Sequence, residues 1–241
     1  MASTASTGRA VKRWAAIGLL AAGTAWLAGC GTAGPGRLRY RMTVEVDTPE
    51  GVKSGSSVIE SIITQGQRFG DSSGISYAVK GEAVTVDLGG GQMLFVLLSG
   101  RDMAPADFQA SLFHNALEGG AVATPPLPRK YAAQEWREER EAANSIRPVV
   151  VLNWNDYPTM VRFTDLEDPK TLTVVSPADL SNEFGNGVSI RRITIAVTDD
   201  PITDEIRNRL KWLDHLDRYR SDKQNPFTAQ LPREISGLRS R

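Results

Sequence analysis

The chain has 241 residues, of which 41% are hydrophobic and 23% are charged, and its 28 basic residues are balanced by 28 acidic ones. This apolar fraction is enough for a folded core and argues against a disordered spacer. The charge balance excludes a generally basic nucleic-acid binder, which would need a strong positive excess. With two histidines and one cysteine, the chain also has little material for zinc sites or cysteine–histidine catalysis.

The first 29 residues have the layout of a secretory signal peptide. Three basic residues, Arg9, Lys12 and Arg13, precede an apolar run from residue 14 to residue 28, and no acidic residue occurs before Glu45. The run is shorter than the roughly 20 apolar residues that a transmembrane helix needs, so a membrane span is the alternative only if the segment is left uncleaved. Without these 29 residues the chain carries 25 basic and 28 acidic residues, a net charge of −3.

The apolar run ends in Leu27-Ala28-Gly29-Cys30, an aliphatic residue and two small residues followed by the single cysteine of the chain. This ending resembles the lipobox of bacterial lipoprotein precursors, and the resemblance covers the leader alone. It implies cleavage before Cys30, lipidation of the Cys30 thiol and attachment to a membrane on the exported face of the cell envelope. Gly31 stands where well-known lipoproteins retained at the inner membrane have aspartate. The resemblance therefore implies the periplasmic side of the outer membrane rather than the inner membrane.

The mature chain is predicted to begin with a tether and continue as one domain. Residues 30–36 form the lipidated cysteine and a flexible tether, whose six residues after Cys30 span only about 20 Å when extended. Residues 37–220 are predicted to form a single α+β domain, with a sub-boundary near residues 120–130 as an alternative. Residues 221–241 contain two prolines and are predicted to be loosely ordered.

The first half of the domain has the pattern of strands joined by short turns. Residues 37–47 alternate between apolar and polar side chains, which is typical of a half-buried strand. A Pro-Gly turn leads to a return strand through Val58 and Ile63, with Gly55 as a predicted bulge. Three further strands are predicted at residues 75–79, 84–88 and 93–98, and their short connections predict an antiparallel meander.

The second half mixes helices with strands. Helices are predicted at residues 102–117, at 131–143 with a charged and solvated face, at 177–184 with Ser176 as N-cap, and from Asp199 to Tyr219. Strands are predicted at residues 149–154, 159–163, 172–175 and 188–197. The order predicts an α+β fold with a mainly antiparallel sheet of about eight or nine strands, inserted helices and a C-terminal amphipathic helix.

Three arginines, Arg37, Arg39 and Arg41, lie on one face of the first predicted strand, directly beside the tether. One interpretation places them against an anionic membrane surface, where each arginine contributes about 1 kcal/mol of attraction. The other interpretation, which we favour, pairs them across the hairpin with Glu60 or a similar acidic residue.

A second candidate is the connection between two predicted strands that contains Trp154, Asn155 and Tyr157. Aromatic and amide side chains of this kind are typical of loops that contact a partner or a ligand. The same segment is rich in ordinary turn formers, so a plain turn is the alternative.

The last predicted helix carries Asp214, His215 and Asp217, which combine two carboxylates with an imidazole. His215 lies about 100° around the helix axis from Asp214, and a metal would need further ligands from elsewhere. We interpret the two carboxylates as partners of neighbouring lysine and arginine side chains on a solvated helix face.

No catalytic, metal or cofactor residue is assigned from the sequence. The leading hypothesis is a non-catalytic envelope lipoprotein of unknown specific role, an accessory or binding module. Its expected partners are the lipid bilayer, through acylated Cys30, and an envelope protein, without nucleic acid. The alternatives are a carrier of an apolar ligand or lipid in the periplasm and a periplasmic hydrolase. A carrier requires a closed apolar cavity, a hydrolase requires a cleft with converging polar groups, and an accessory module requires an exposed apolar patch.

Overall fold

A computed structural model of the chain describes residues 34–66, 70, 74–100, 102–127, 136–219 and 233–240. The predicted signal peptide, Cys30 and the first part of the tether lie outside these residues. Within them the strands are β1 (Gly36–Thr48), β2 (Gly51–Gln65), β3 (Ile75–Glu82), β4 (Val84–Gly89), β5 (Gln92–Val96), β6 (Ala123–Thr124), β7 (Val149–Val151), β8 (Met160–Phe163), β9 (Leu172–Val175), β10 (Ser189–Val197) and β11 (Arg239–Ser240). The α-helices are α1 (Pro105–Glu118), α2 (Trp136–Ile146), α3 (Leu180–Phe184) and α4 (Leu213–Tyr219).

The fold is α+β with two antiparallel sheets, which confirms the predicted class. The larger sheet has the strand order β11-β3-β2-β1-β10-β7-β6, and the smaller has the order β4-β5-β8-β9. The strand number exceeds the expected eight or nine because β6 and β11 are two-residue strands at the edges of the larger sheet, too short to produce a periodic signal.

The central strand of the larger sheet is β1. It pairs with β2 along its whole length, from Gly36 to Thr48, and with β10 from Tyr40 to Asp47. Its alternation is strict, because the side chains of one face are 1% exposed or less: Leu38, Tyr40, Met42, Val44 and Val46. This inner face forms one side of the main core, and the predicted half-buried strand is confirmed.

The smaller sheet lies between two hydrophobic cores. Leu94 and Val96 of β5 join the main core with the inner face of β1. The alternate residues Met93 and Phe95 join a second core with the C-terminal part of the chain, including Leu213 of α4. Because β5 is covered on both faces, its sequence is continuously apolar instead of alternating.

The predicted meander is wrong between β3 and β4, which lie in different sheets. Only Ala83 separates them, and its backbone N–H donates to Leu238 O at 2.8 Å. The turn from one sheet to the other depends on partners that are distant in sequence, so local periodicity does not indicate it.

Glu82 is the main polar contact at this corner. Its carboxylate is buried and accepts the backbone N–H groups of Glu205 at 2.8 Å and of Ile206 at 3.0 Å. Its own carbonyl accepts the Ser57 hydroxyl of β2 at 2.8 Å. Burial raises the pKa of Glu82, although the two backbone hydrogen bonds oppose this shift. One residue thus links β2, the corner and the segment that leads to the C-terminal layer.

The predicted C-terminal helix from Asp199 to Tyr219 is wrong in its first half. Thr203 instead pairs with Val58 of β2, because its N–H donates to Val58 O at 3.2 Å and its hydroxyl accepts the Val58 N–H at 2.8 Å. These contacts keep the segment extended up to the short 3₁₀ turn at Ile206–Asn208, and α-helix begins only at Leu213.

The predicted loosely ordered tail is also wrong in part. Residues 233–240 form a 3₁₀ turn and β11, and Arg239 of β11 pairs with Glu82. Ile235 and Leu238 are buried in the second core, which explains why this segment is ordered despite its weak pattern. The rest of the predicted tail, residues 221–232 and 241, lies outside the described residues.

The predicted bulge at Gly55 is wrong, because the register between β1 and β2 is uninterrupted and places Val44 opposite Gly55. Glycine is required there for another reason. A Cβ atom on Gly55 would lie 2.0 Å from the carbonyl oxygen of Thr85 in β4. The two sheets therefore approach each other at backbone contact at this point.

We expect Gly55→Ala to lower the free energy of unfolding by about 2 kcal/mol, since the methyl group must push the sheets apart. Gly66→Ala is the matched control. Its Cβ would lie 3.7 Å from the nearest atom, an ordinary contact, so the change should stay below about 0.5 kcal/mol. Urea unfolding followed by circular dichroism measures both, and equal stability of the two variants would contradict the proposed sheet contact.

Candidate functional site

The three arginines of β1 pair with acidic side chains. Arg37 Nη1 lies 2.8 Å from Glu60 Oε2, and Arg39 Nη2 lies 2.8 Å from Glu60 Oε1. Arg41 Nη2 lies 2.9 Å from Asp200 Oδ2. Arg37 and Arg39 therefore pair across the hairpin with Glu60, as in the interpretation that we favour. Arg41 pairs instead with Asp200, in the segment after β10. Membrane contact by this row stays a prediction.

Glu60 is the electrostatic centre of the row. Its side chain is 7% exposed, and this burial alone would raise its pKa. The hydrogen bonds and positive charges of Arg39 and Arg37 outweigh burial and lower the pKa of Glu60 instead. An ionised Glu60 and Asp200 thus compensate much of the charge of the three arginines.

The predicted partner loop is a 3₁₀ turn at Trp154–Asp156. Trp154 is 52% exposed and its ring centroid lies 5.6 Å from that of Tyr157. Tyr157 packs partly against the main core, and burial raises its pKa. The side chains of Trp154 and Asn155 are therefore exposed to solvent. Tyr157 lies between Trp154 and the main core and supports the turn.

An exposed apolar surface, which sequence analysis missed, lies on the outer face of the larger sheet. Val149 and Val151 of β7 are 41% and 47% exposed, while Val150 between them is buried. The register of β6 with β7, continued by one residue, places Val122 beside Val151, and Val122 is 73% exposed. We call these three residues the valine face. The sequence Val149-Val150-Val151 is uniformly apolar, so it does not indicate which side chains are exposed.

The valine face continues across the sheet with small side chains. Thr194 and Ala196 of β10 lie opposite Val151 and Val149, and both are half-buried. The result is a flat surface of β-branched and small residues. Contiguous exposed apolar surface of this kind is typical of interaction sites.

Helix α2 was predicted to have a solvated charged face, and this prediction is wrong for Glu139 and Arg140, which are 5% and 3% exposed. The Arg140 guanidinium donates to the carbonyl and hydroxyl oxygens of Ser61 and to Ala110 O, each at 3.0 Å. Burial lowers the pKa of Arg140 to about 10. The hydrogen bonds of the buried Arg140 guanidinium connect α2 to β2 and to α1.

A second buried contact connects α1 to the sheet. The Tyr40 hydroxyl of β1 donates to Gln109 Oε1, and Gln109 Nε2 donates to Leu98 O at 2.7 Å. Burial raises the pKa of Tyr40 far above its ordinary value, so the phenol stays neutral. These polar side chains hold helices in place and do not line an accessible site.

His114 of α1 bridges the two helices. Its Nδ1 lies 2.7 Å from Glu139 Oε2 and its Nε2 lies 3.3 Å from Glu118 Oε1. Burial would lower the pKa of His114, but the hydrogen bond and charge of Glu139, together with Glu118, raise it. Sequence analysis could not find this pair, because 25 residues separate His114 from Glu139.

A cleft of about 460 Å³ lies where the segment before residue 206 passes β3 and β11. Two of its cations pair with Asp204, whose Oδ1 lies 2.8 Å from Arg239 Nη2 and 3.6 Å from Arg207 Nε. Arg207 also contacts Asp214 Oδ1 at 2.8 Å, so Asp214 is part of an ion pair. The two arginines of the cleft are thus paired within the protein, and Lys80 is a third cation in its lining.

Among the described residues, no group of three or more histidine, cysteine, aspartate or glutamate side chains is placed to hold a metal ion. No helix in the same part of the chain combines the length and apolarity needed to cross a membrane.

Comparison with protein-family models, with curated proteins and with solved structures finds no match to this chain.

The contacts of His114 with Glu139 and Glu118 should make the stability of the folded protein depend on pH. Since the pKa of His114 is raised in the folded protein, its contribution is fully present below the ordinary value of 6.5 and is lost as pH rises through the folded pKa. In the parent chain we expect the free energy of unfolding to fall as pH rises from 6.5 through the raised pKa of His114. In the His114→Gln variant this fall should be absent. The exposed His215 provides the control, and an equal effect of His215→Gln would contradict the assignment.

Proposed function

We propose that the protein is a membrane-anchored lipoprotein of the bacterial envelope, whose α+β domain binds an envelope protein through the valine face. The observation that carries the binding role is the adjacent exposure of Val122, Val149 and Val151 on an open sheet face. The lipobox-like ending at Cys30 supports the anchor, and the short tether keeps the domain near the bilayer.

The valine face suits a protein partner because it is flat and lies on a rigid scaffold. Val150, between the two exposed valines of β7, is buried in the main core, and β7 pairs on both sides with β10 and β6. The face is thus presented in one conformation, which lowers the entropy lost on binding. Trp154, three residues after Val151, adds an exposed aromatic side chain of the type that is enriched in interfaces.

The packing of the two sheets favours this role over the carrier alternative. A carried lipid would need a closed apolar space between the sheets. Tyr40 and Met42 from the larger sheet and Leu94 from the smaller one fill the main core instead, and each is 0% exposed. The buried groups with raised or lowered pKa values, such as Arg140 and Tyr40, serve structural contacts, which gives the hydrolase alternative little support.

The anchor is tested by Cys30→Ser in the full chain. We expect the protein to leave the membrane fraction, because lipid can no longer be attached to the side chain. Gly31→Asp is the matched control for position: the protein should stay membrane-bound but move from the outer to the inner membrane fraction. An unchanged membrane fraction for Cys30→Ser would refute the proposed anchor.

The binding role is tested by Val149→Lys combined with Val151→Lys in the lipidated protein. Charges in the centre of the proposed interface should reduce crosslinking to the partner in native envelopes by about tenfold, which corresponds to about 1.4 kcal/mol. Val174→Lys, at an exposed valine of β9 in the smaller sheet, is the matched control and should leave crosslinking unchanged. If both variants crosslink like the parent chain, the valine face is not the binding site.

A further inference from the structure

The position at which the tether enters the domain defines one end of the molecule. β1 begins at Gly36, and five residues separate it from Cys30. The register across three strands aligns Gly36 with Ile63 of β2 and Ile63 with Tyr77 of β3. Gly36, Ile63 and Tyr77 therefore mark the same end of the sheet, which we call the tether end.

Aromatic and cationic side chains meet at the tether end. The Trp136 ring packs directly on Gly36, since a Cβ atom there would lie 2.2 Å from Trp136 Cζ3. The guanidinium carbon of Arg137 lies 4.7 Å from the centroid of the Trp136 ring. Tyr77 is 43% exposed, and the side chain of Arg37 is 53% exposed. Trp136 and Arg137 thus lie at the first residue of β1, Arg37 follows that residue, and Tyr77 lies two strands away at the same end of the sheet.

These residue types match the chemistry of a membrane interface. Tryptophan and tyrosine have an apolar ring and a polar group, and they are enriched where hydrocarbon meets lipid headgroups. Arginine binds phosphate with several donors at once and can keep a cation–π contact with a ring. A tether of about 20 Å at most leaves this end of the domain within reach of the headgroup layer.

We propose that the tether end rests on the lipid bilayer, with Trp136 and Tyr77 in the headgroup region and Arg37 and Arg137 near lipid phosphates. This proposal rests on the anchoring of Cys30 proposed above. It assigns the membrane contact of the domain to the tether end, and of the arginine row only Arg37 takes part. All three arginines have acidic partners, but Arg37 lies next to Gly36 and its side chain is the most exposed of the three, at 53% against 33% for Arg39 and 41% for Arg41.

Trp154, three residues after Val151 of the valine face, is the control for Trp136. β7 runs in the same direction as β1, because both are antiparallel to β10. Val151 aligns through Thr194 with Thr43, seven residues along β1 from Gly36, which is roughly 23 Å at about 3.3 Å per residue. Trp154 follows beyond Val151 and therefore lies away from the tether end. Trp136 and Trp154 thus report on two different regions of one domain.

The test uses the full lipidated chain in vesicles of phosphatidylethanolamine and phosphatidylglycerol with brominated acyl chains, which quench tryptophan fluorescence at short range. Trp14 and Trp26 belong to the leader, which the proposed cleavage before Cys30 removes, so the lipidated chain retains Trp136, Trp154 and Trp212. We expect brominated lipid to quench part of the fluorescence, Trp136→Phe to remove most of that quenching, and Trp154→Phe to preserve it. Trp212 is buried and donates to Leu166 O at 2.8 Å, so it provides a constant background.

A second reporter keeps the test decisive if Trp136→Phe fails to fold. Tyr77→Trp in the chain that retains Trp136 should increase the quenched fraction, since it places another indole at the tether end. Vesicle flotation of the same samples separates the two proposals. Flotation with no quenching by either reporter overturns the membrane contact of the tether end and leaves the anchor in place. Absence of flotation overturns the anchor and, with it, this inference.

Discussion

The buried carboxylate of Glu82 is the interaction on which the arrangement of the layers depends. It lies at the corner where the chain leaves the larger sheet, and its hydrogen bonds to Glu205 and Ile206 bring the C-terminal segment against that corner. A buried carboxylate costs free energy unless it is fully hydrogen-bonded, which explains why several distant segments converge on it. The close approach of Gly55 to Thr85 completes the same corner. Ala83 and Ile206, which adjoin this contact, are both part of the second core, so the corner leads the chain into that core.

Much of the fold could be predicted because its signals are local. The alternation of β1 and the strand Leu172–Val175 follow from periodicity. Ser176 accepts the backbone N–H of Ala178 as expected for an N-cap, although it caps a 3₁₀ turn at Pro177–Asp179 and α3 begins only at Leu180. The predicted helix after Asp199 failed because its residues have an amphipathic pattern, yet Thr203 finds backbone partners in β2. Tertiary hydrogen bonds decided that segment, and no local pattern describes them.

The candidate interaction surfaces also divide into one that the local sequence predicts and others that depend on distant contacts. Exposure of Trp154 was predictable from its place in a turn-rich segment. The valine face depends on the register of the two-residue edge strand β6 with β7, which places Val122 beside Val151. Trp136 reads as part of a charged helix, and its contact with Gly36 joins residues 100 positions apart in the sequence. Interaction surfaces made by such distant pairs require the register of the sheet to be known.

The central position of β1 has a mechanical consequence for the lipid attachment that we propose at Cys30. A pull on the anchor acts first on Gly36, and therefore along the axis of the strand that pairs with β2 over its full length and with β10 from Tyr40 to Asp47. Antiparallel hydrogen bonds lie perpendicular to that axis, so they are loaded together in shear and are not broken one after another. An edge strand in this position would peel away. With the proposed anchor and partner, this topology would protect the domain against tension between the membrane and the bound protein.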